Sequence, residues 1–236
     1  MTPAASLDPD ENRSLFALFD NLRVADVRDG LDACGYHYIG SMDPEIRPLF
    51  RTRASGIART ARYLPYQGRV PEASAEEYLK WSGWYYGNVC TYPWMSEIAS
   101  GDFVVIDQSS VNAGLMGSEN TLNALKRGVC GFVSNGGVRD SDEVILQKVP
   151  FWSRIIAQSM VQSRLQFDAM NVAVCVGGQT VCPGDVLVAD GDGVIVVPRA
   201  IAREVAKFAQ EEHARDMKNR RKHYDDLGKP PDGTVA

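Results

Sequence analysis

Arg139 and Asp140 stand side by side at the end of Gly131-Phe132-Val133-Ser134-Asn135-Gly136-Gly137-Val138-Arg139-Asp140. An arginine fork grips a carboxylate through two parallel hydrogen bonds, and an aspartate beside it offers hard oxygen ligands to a divalent cation. Upstream, Gly114 and Gly117 lie in Gly114-Leu115-Met116-Gly117-Ser118-Glu119-Asn120-Thr121, read as a glycine-rich loop that opens a helix running through Leu125 to Arg127. Such a loop leaves backbone N–H groups pointing outward, where they can hold a carboxylate or an oxyanion. One fixed cation, one hard anion and a row of amides suit a small oxo-acid.

The positioning elements flank this stretch. Gly101 to Asp107 begins as a turn and becomes an apolar strand ending in a carboxylate, and Val129 to Ser134 reads as a buried strand followed by a glycine turn that delivers Arg139 and Asp140. Ser141-Asp142-Glu143 starts a short helix, and Val149 to Ile156 returns as a strand. Asp107 and Asp142 read as cap or turn residues.

Further out, apolar positions from Leu15 to Leu31 fit two short helices closed at Gly35, with Asp26, Arg28, Asp29 and Asp32 on a solvated face. Met42 to Pro48 is a proline-bounded loop, and Ser55 to Leu64 a strand. Ser74 with Glu77 forms a capping box and predicts a helix from Ala75 to about Asn88. Nine of the 21 aromatic residues fall between Tyr63 and Trp94, which suits core or subunit packing, or an aromatic wall over a ligand pocket. Asn171 to Val176 reads as a strand ending at the Gly177-Gly178 turn. Asp190-Gly191-Asp192-Gly193 joins two β-branched runs as a hairpin and lacks the further ligands of a calcium loop. A charged helix spans Arg199 to His223, with a solvated basic run at Lys218 to Lys222, and the tail from Gly228 to Ala236 is expected to be disordered.

At 236 residues, 44% apolar and with net charge -5, the chain suits one soluble α/β domain with a β-sandwich or barrel-like centre. The acidic balance argues against nucleic-acid binding, and the absence of a signal-peptide core or a long apolar run predicts a cytoplasmic protein. Five cysteines without C-x-x-C spacing, three of them in apolar runs, read as buried reduced thiols, and with three histidines any metal should be oxygen-bound.

Gly117-Ser118-Glu119-Asn120, Lys126-Arg127-Gly128 and the Gly131 to Asp140 run resemble the RraA-like family. Pro183-Gly184-Asp185-Val186 through Asp192-Gly193-Val194 resembles a second signature of that family, and Met42-Asp43-Pro44 through Arg47-Pro48 a weaker third. The family includes the 4-hydroxy-4-methyl-2-oxoglutarate/4-carboxy-4-hydroxy-2-oxoadipate aldolases and the regulator of ribonuclease activity A. The resemblance implies a swivelling β/β/α-type domain over residues 24–198, between an N-terminal helical extension (1–23) and a C-terminal helix and tail (199–236). It also implies a homotrimer or homohexamer with sites between subunits, and Mg²⁺ or Mn²⁺ as cofactor.

Carried over, Asp140 would be the metal ligand, Arg139 would contact the oxo-acid end, and the loop from Gly117 through Ser118, Glu119 and Asn120 to Thr121 would offer amides to the pyruvyl part. Two positions depart from the aldolase pattern: Ser118 stands where a carboxylate is common, and Asn135 where an aspartate is. The expected reaction is retro-aldol cleavage of a 4-hydroxy-2-oxo acid to pyruvate and a second carbonyl compound, with oxaloacetate decarboxylation as a companion. A metal-bound water held by Glu119 or another carboxylate is the expected base. A neighbouring subunit's carboxylate, with Glu211 or Glu212 as candidates, would complete the site. The competing expectation is a non-catalytic regulator that binds a ribonuclease. A methyltransferase reading finds no G-x-G-x-x-G nucleotide loop to support it.

Overall fold

The computed structural model describes residues 8–235, so the first seven residues of the N-terminal extension and Ala236 of the tail lie outside the description. Asp8 caps α1 (Pro9–Phe16), its carboxylate accepting from Asp10 N at 2.9 Å. A short 3-10 turn leads to α2 (Val24–Ala33), and Gly35 ends the helical segment with a left-handed φ of 84°.

The main sheet is mixed and curls into a nearly closed barrel. Its parallel centre is β2 (Ala54–Pro65), β3 (Asp102–Asp107), β5 (Gly131–Val138) and β6 (Phe151–Ile156), with β1 (Arg47–Pro48) antiparallel on β6. The first half of β2 pairs with β10 (Val186–Asp190), which turns through Gly191-Asp192 into β11 (Gly193–Val197). Its second half pairs with β7 (Leu165–Met170). Parallel strands covered on both faces need apolar residues throughout, as Phe103 to Ile106 and Phe132 to Val133 show by being fully buried. The expected strand at Asn171 to Val176 divides: β7 ends at Met170, and β8 (Val174–Val176) pairs only with β9 (Gln179–Val181) across the Gly177-Gly178 turn.

One pairing matters most for the site. Along one edge of β5, Gly131 to Ser134 pair with β3, whereas Gly137 and Val138 pair with β4 (Gly114–Met116). The glycine pair expected to form a turn is therefore inside the strand. A Cβ on Gly137 would lie 2.7 Å from the Ala113 carbonyl and 2.6 Å from Ala157 Cβ, so only glycine lets β4 approach. Likewise, the segment from Gly114 is a short strand before it becomes a helix start.

The capping box forms as predicted, and α3 (Ala75–Asn88) follows it. Tyr85, on this helix, is buried together with Tyr63 and Trp94, and Trp94 Nε1 donates to Tyr63 Oη at 2.8 Å. Three of the nine aromatics are thus core, Tyr66, Trp81 and Tyr92 pack partly buried against it, and Trp84 and Tyr86 stay exposed. Of the free cysteines, Cys90 is buried and its thiol is pushed up to about 12 by burial, whereas Cys175 and Cys182 are exposed.

A second layer packs α1, α2 and α6 (Ala202–Asp226) on β10 and β11, through Val27, Leu31, Val205 and Ala209. Asp26, expected on a solvated face, is instead fully buried between α2 and α6, where Arg23 and His213 hold it. The tail also departs from expectation. Asp232 and Thr234 close a turn, the Thr234 carbonyl accepts from Arg220 Nε at 3.0 Å, and Val235 is buried. Among the described residues no helix is long and apolar enough to cross a membrane.

Candidate active site

The handover from β3 to β4 along β5 brings the two glycine-rich stretches together. Arg139 N continues the ladder by donating to the Met116 carbonyl at 2.9 Å, which sets Gly117 beside Asp140. Gly117 is the N-cap of α4 (Ser118–Leu125), and Asp140 is the N-cap of α5 (Ser141–Leu146). Two helix starts therefore face one cleft of about 160 Å³, whose floor includes Gly114, Gly117, Arg139 and Asp140.

Both glycines are needed by the charged pair. A Cβ on Gly114 would lie 1.7 Å from Arg139 Cγ, and one on Gly117 would lie 2.4 Å from Asp140 Oδ2. Asp140 adopts a left-handed backbone, φ 52° and ψ 43°, which aspartate tolerates better than most residues. Its side chain makes no capping bond to α5. Oδ2 instead accepts from Ser118 N at 3.1 Å and from Ser118 Oγ at 3.3 Å. Oδ1 lies 3.5 Å from Arg139 Nε, and the two side chains remain 29% and 33% exposed. An aspartate at an N-cap ordinarily stabilises its own helix; here the carboxylate is turned across to the neighbouring one.

Glu119 and Asn120 also line the cleft, at the first turn of α4. The first bond of that helix is Thr121 N to the Gly117 carbonyl, so the Glu119 and Asn120 amides precede the hydrogen-bonded ladder. Ser118 N is committed to Asp140. Thr121 is buried, its hydroxyl donating to the Gly117 and Ser118 carbonyls, and it reinforces the turn instead of facing the cleft.

The wall draws partly on the aromatic segment, one reading of which is a wall over a ligand pocket, and partly on residues not singled out. Tyr86 and Tyr92 arrive from the aromatic segment, where clustering was the signal, whereas Leu115 and Met160 gave none. Tyr92 Oη donates to the Leu115 carbonyl at 2.8 Å, and burial pushes its pKa well above the tyrosine range. Asn135 lies elsewhere: it lines another cleft with Asp107, donating to Asp107 Oδ1 at 2.8 Å and accepting from Gln108 N at 2.7 Å. Glu212 is paired with Arg215, and neither Glu211 nor Glu212 lines this chain's cleft.

Size does not select the site. A larger cleft of about 510 Å³ beside α1 contains Arg59, Asp102 and Asn171, but these bond to one another at 2.9 and 3.2 Å. Among the described residues no group of three or more His, Cys, Asp or Glu could hold a metal. A metal in the candidate site would have Asp140 as its protein ligand, with waters and ligand oxygens completing the shell. That mode fits Mg²⁺, which commonly keeps several waters and needs only one or two carboxylates.

A mixed α/β barrel with a glycine-lined Arg-Asp pair at its strand ends defines the class. The chain belongs to the RraA-like family, whose Aldolase/RraA model matches residues 24–196. It is similar to "Protein DlpA" of Legionella pneumophila, 27% identical over 207 residues that cover 86% of this chain and 31% of that protein. It is also 29% identical, over 143 residues covering 59% of this chain and 67% of the other, to a Halalkalibacterium halodurans protein named "Putative 4-hydroxy-4-methyl-2-oxoglutarate aldolase". Among solved structures, Streptomyces coelicolor RraAS2, described as an unusual member of the RNase ES inhibitor RraA protein family, superposes with a TM-score of 0.70. Its identity is 25%, with 88% of this chain and 96% of that one covered. The chain thus spans less than a third of the Legionella protein and about two thirds of the Halalkalibacterium one.

Proposed function

We propose that the protein is a divalent-metal-dependent lyase that cleaves a 4-hydroxy-2-oxo acid to pyruvate and a second carbonyl compound. The observation that carries this reading is the Arg139-Asp140 pair, about one-third exposed in a cleft where Gly114 and Gly117 make room for it. Arg139 grips the carboxylate and 2-oxo oxygens with its two-pronged fork, fixing the C3–C4 bond relative to the helix starts. The Glu119 and Asn120 amides and the Arg139 charge lie where negative charge develops as that bond breaks. The C4 hydroxyl loses its proton and becomes a carbonyl, the bonding pair passes into the enolate of pyruvate, and C3 then takes a proton. Glu119, exposed at the mouth, accepts the hydroxyl proton directly or through a water.

Asp140 would hold Mg²⁺ or Mn²⁺, which supplies Lewis-acid polarisation of the 2-oxo group when bound. Ser118 fixes the orientation of Asp140 through both N–H and hydroxyl. Decarboxylation of oxaloacetate leaves the same pyruvate enolate, so the site should support it too.

The test is pyruvate release from oxaloacetate and from 4-hydroxy-4-methyl-2-oxoglutarate by chelator-treated protein, with and without Mg²⁺, beside Asp140→Ala. Metal-dependent release should fall by at least about 100-fold in the variant, the scale of removing one transition-state contact. Equal release by both proteins would refute the assignment of Asp140. No release above the metal-only blank would favour a protein-binding role like that in the description of RraAS2.

A further inference from the structure

The glycine that makes room for Asp140 weakens the helix beside it. Gly117 is the N-cap of α4 and gives that helix no side-chain hydrogen bond, yet a Cβ there would meet Asp140 Oδ2 at 2.4 Å, so a serine or aspartate cap does not fit. The first turn of this short helix is therefore held from outside. Asp140 provides one hold, through Ser118 N. We propose that Tyr92 provides the other, as a positioning residue that fixes Glu119 and the Glu119 and Asn120 amides for the reaction. This inference rests on the function proposed above.

Tyr92 reaches the cleft from the core. Its ring centroid lies 6.2 Å from those of Tyr63 and Trp94, at interplanar angles of 52° and 59°. Both partners are fully buried and are themselves tied down: Trp94 Nε1 donates to Tyr63 Oη, which donates to the Thr91 carbonyl, each at 2.8 Å. A ring packed in this way has little freedom, so its hydroxyl is a fixed point. That hydroxyl donates to the Leu115 carbonyl at 2.8 Å and accepts from the Asn120 side chain. Leu115 belongs to β4 and Asn120 to α4, on either side of Gly117, so one hydroxyl spans the glycine link. The Leu115 bond alone satisfies the phenolic donor; the Asn120 bond ties the helix start to the core.

The consequence falls on the groups that act as the C3–C4 bond breaks. A displacement of about 1 Å can cost up to about 100-fold in rate, and Glu119 sits on the turn in question. Arg139 is set separately, by its backbone bond to Met116, so binding of the oxo-acid end should depend less on Tyr92.

Two variants cut the same contact from opposite ends. Tyr92→Phe keeps the ring between Tyr63 and Trp94 and deletes the hydroxyl. Asn120→Ala removes the amide and places a better helix former in the first turn. Amide hydrogen exchange over residues 118–121 and Mg²⁺-dependent decarboxylation of oxaloacetate are measured on both, beside wild type. Exchange should quicken by about fivefold in each, the scale of one hydrogen bond. In each, kcat should fall by about tenfold, with KM changed by less than about twofold. The double variant should be no slower than Tyr92→Phe alone, because the second change finds the contact already gone. If Asn120 only shapes the helix, Asn120→Ala gives slower exchange and wild-type kcat, and the proposal is overturned. Wild-type kcat in both variants also overturns it and leaves the lyase reading standing. If wild type itself releases no pyruvate above the metal-only blank, the lyase reading fails and takes this role with it.

Discussion

Two arginine–aspartate pairs in this protein differ in how completely their hydrogen-bonding capacity is used. In the helical layer, Asp26 Oδ2 accepts from Arg23 N at 2.8 Å and Arg23 Nε at 3.0 Å, and lies 2.8 Å from His213 Nδ1. Oδ1 takes Arg23 Nε at 3.1 Å and is also bonded by Nη2, which reaches on to Asp216 Oδ2 at 2.8 Å. Asp26 is fully buried, and its oxygens have no lone pair left for a ligand. At the candidate site, Arg139 and Asp140 approach only to 3.5 Å, and among the described residues the Arg139 side chain has no other polar partner. A saturated pair fixes two helices; an unsaturated pair retains binding capacity for something that arrives. Proximity of opposite charges is common to both, so unfilled valence distinguishes a site from a brace.

Removing the Asp26 brace should cost the fold most. Burial pushes Asp26 up, but the Arg23 hydrogen bonds and charge, with His213, outweigh it and leave the carboxyl below its ordinary value of 3.8. Folding is therefore stabilised at pH values above 3.8, and this contribution is lost as pH falls through the lower folded-state value. Asp26→Asn should cost roughly 3 kcal/mol at neutral pH, because it takes the buried anion from Arg23 and leaves only the partly exposed Asp216 to pair with it. For a chain of this size that lowers Tm by about 6–12 °C. The gap from wild type should narrow in acid, below pH 3.8, and turnover per folded molecule should not change. A variant as stable as wild type at neutral pH would show that the saturated pair is not a brace.

The site pair should respond in the opposite sense. Arg139→Lys keeps a charge but not the planar fork, so kcat/KM should drop by about 100-fold while Tm stays within about 1 °C. The absence of other polar partners for the Arg139 side chain is the reason to expect little change in stability. A large fall in Tm would make this pair a second brace and remove the contrast. Wild-type kinetics would take Arg139 out of the proposed mechanism.

Local signals made some of this legible in the sequence. The Ser74-Glu77 box placed α3 at its observed bounds, and the Asp-Gly turn placed the β10–β11 hairpin, because in each case the deciding contacts lie within a few residues. Gly117, Arg139 and Asp140 were grouped in advance, and the structure sets them around one cleft. Long-range contacts were not legible. Asp26 looks solvated until His213, 187 positions away, folds against it. Gly136 and Gly137 look like a turn until β4 pairs with Gly137 and Val138, and Met160 carries no pattern tying it to Tyr86. Composition likewise predicted a loose tail at 228–236, whereas the turn at Asp232 and its contacts with α6 hold residues 232–235 in place.

Ser118 bears on how Asp140 is held and not on whether it is present. Its N–H to Asp140 Oδ2, at 3.1 Å, belongs to the backbone and survives any substitution that keeps α4. Its hydroxyl bond, at 3.3 Å to a one-third exposed carboxylate, is long and partly in competition with water. Ser118→Ala should therefore lose about 1 kcal/mol of orientation at most, roughly a fivefold fall in kcat/KM, with Tm little changed. The loss should appear as a higher Mg²⁺ concentration for half-maximal rate, since the role proposed for the hydroxyl is to aim the carboxylate. Ser118→Glu is the stricter comparison: it places a third acidic side chain near Asp140 and Glu119. Tighter Mg²⁺ dependence with turnover retained would mean that the site has room for a second metal-supporting carboxylate. Lost turnover with intact fold would mean that Ser118 is matched to the crowded approach between Gly117 and Asp140, where even a Cβ on the glycine would meet Oδ2 at 2.4 Å.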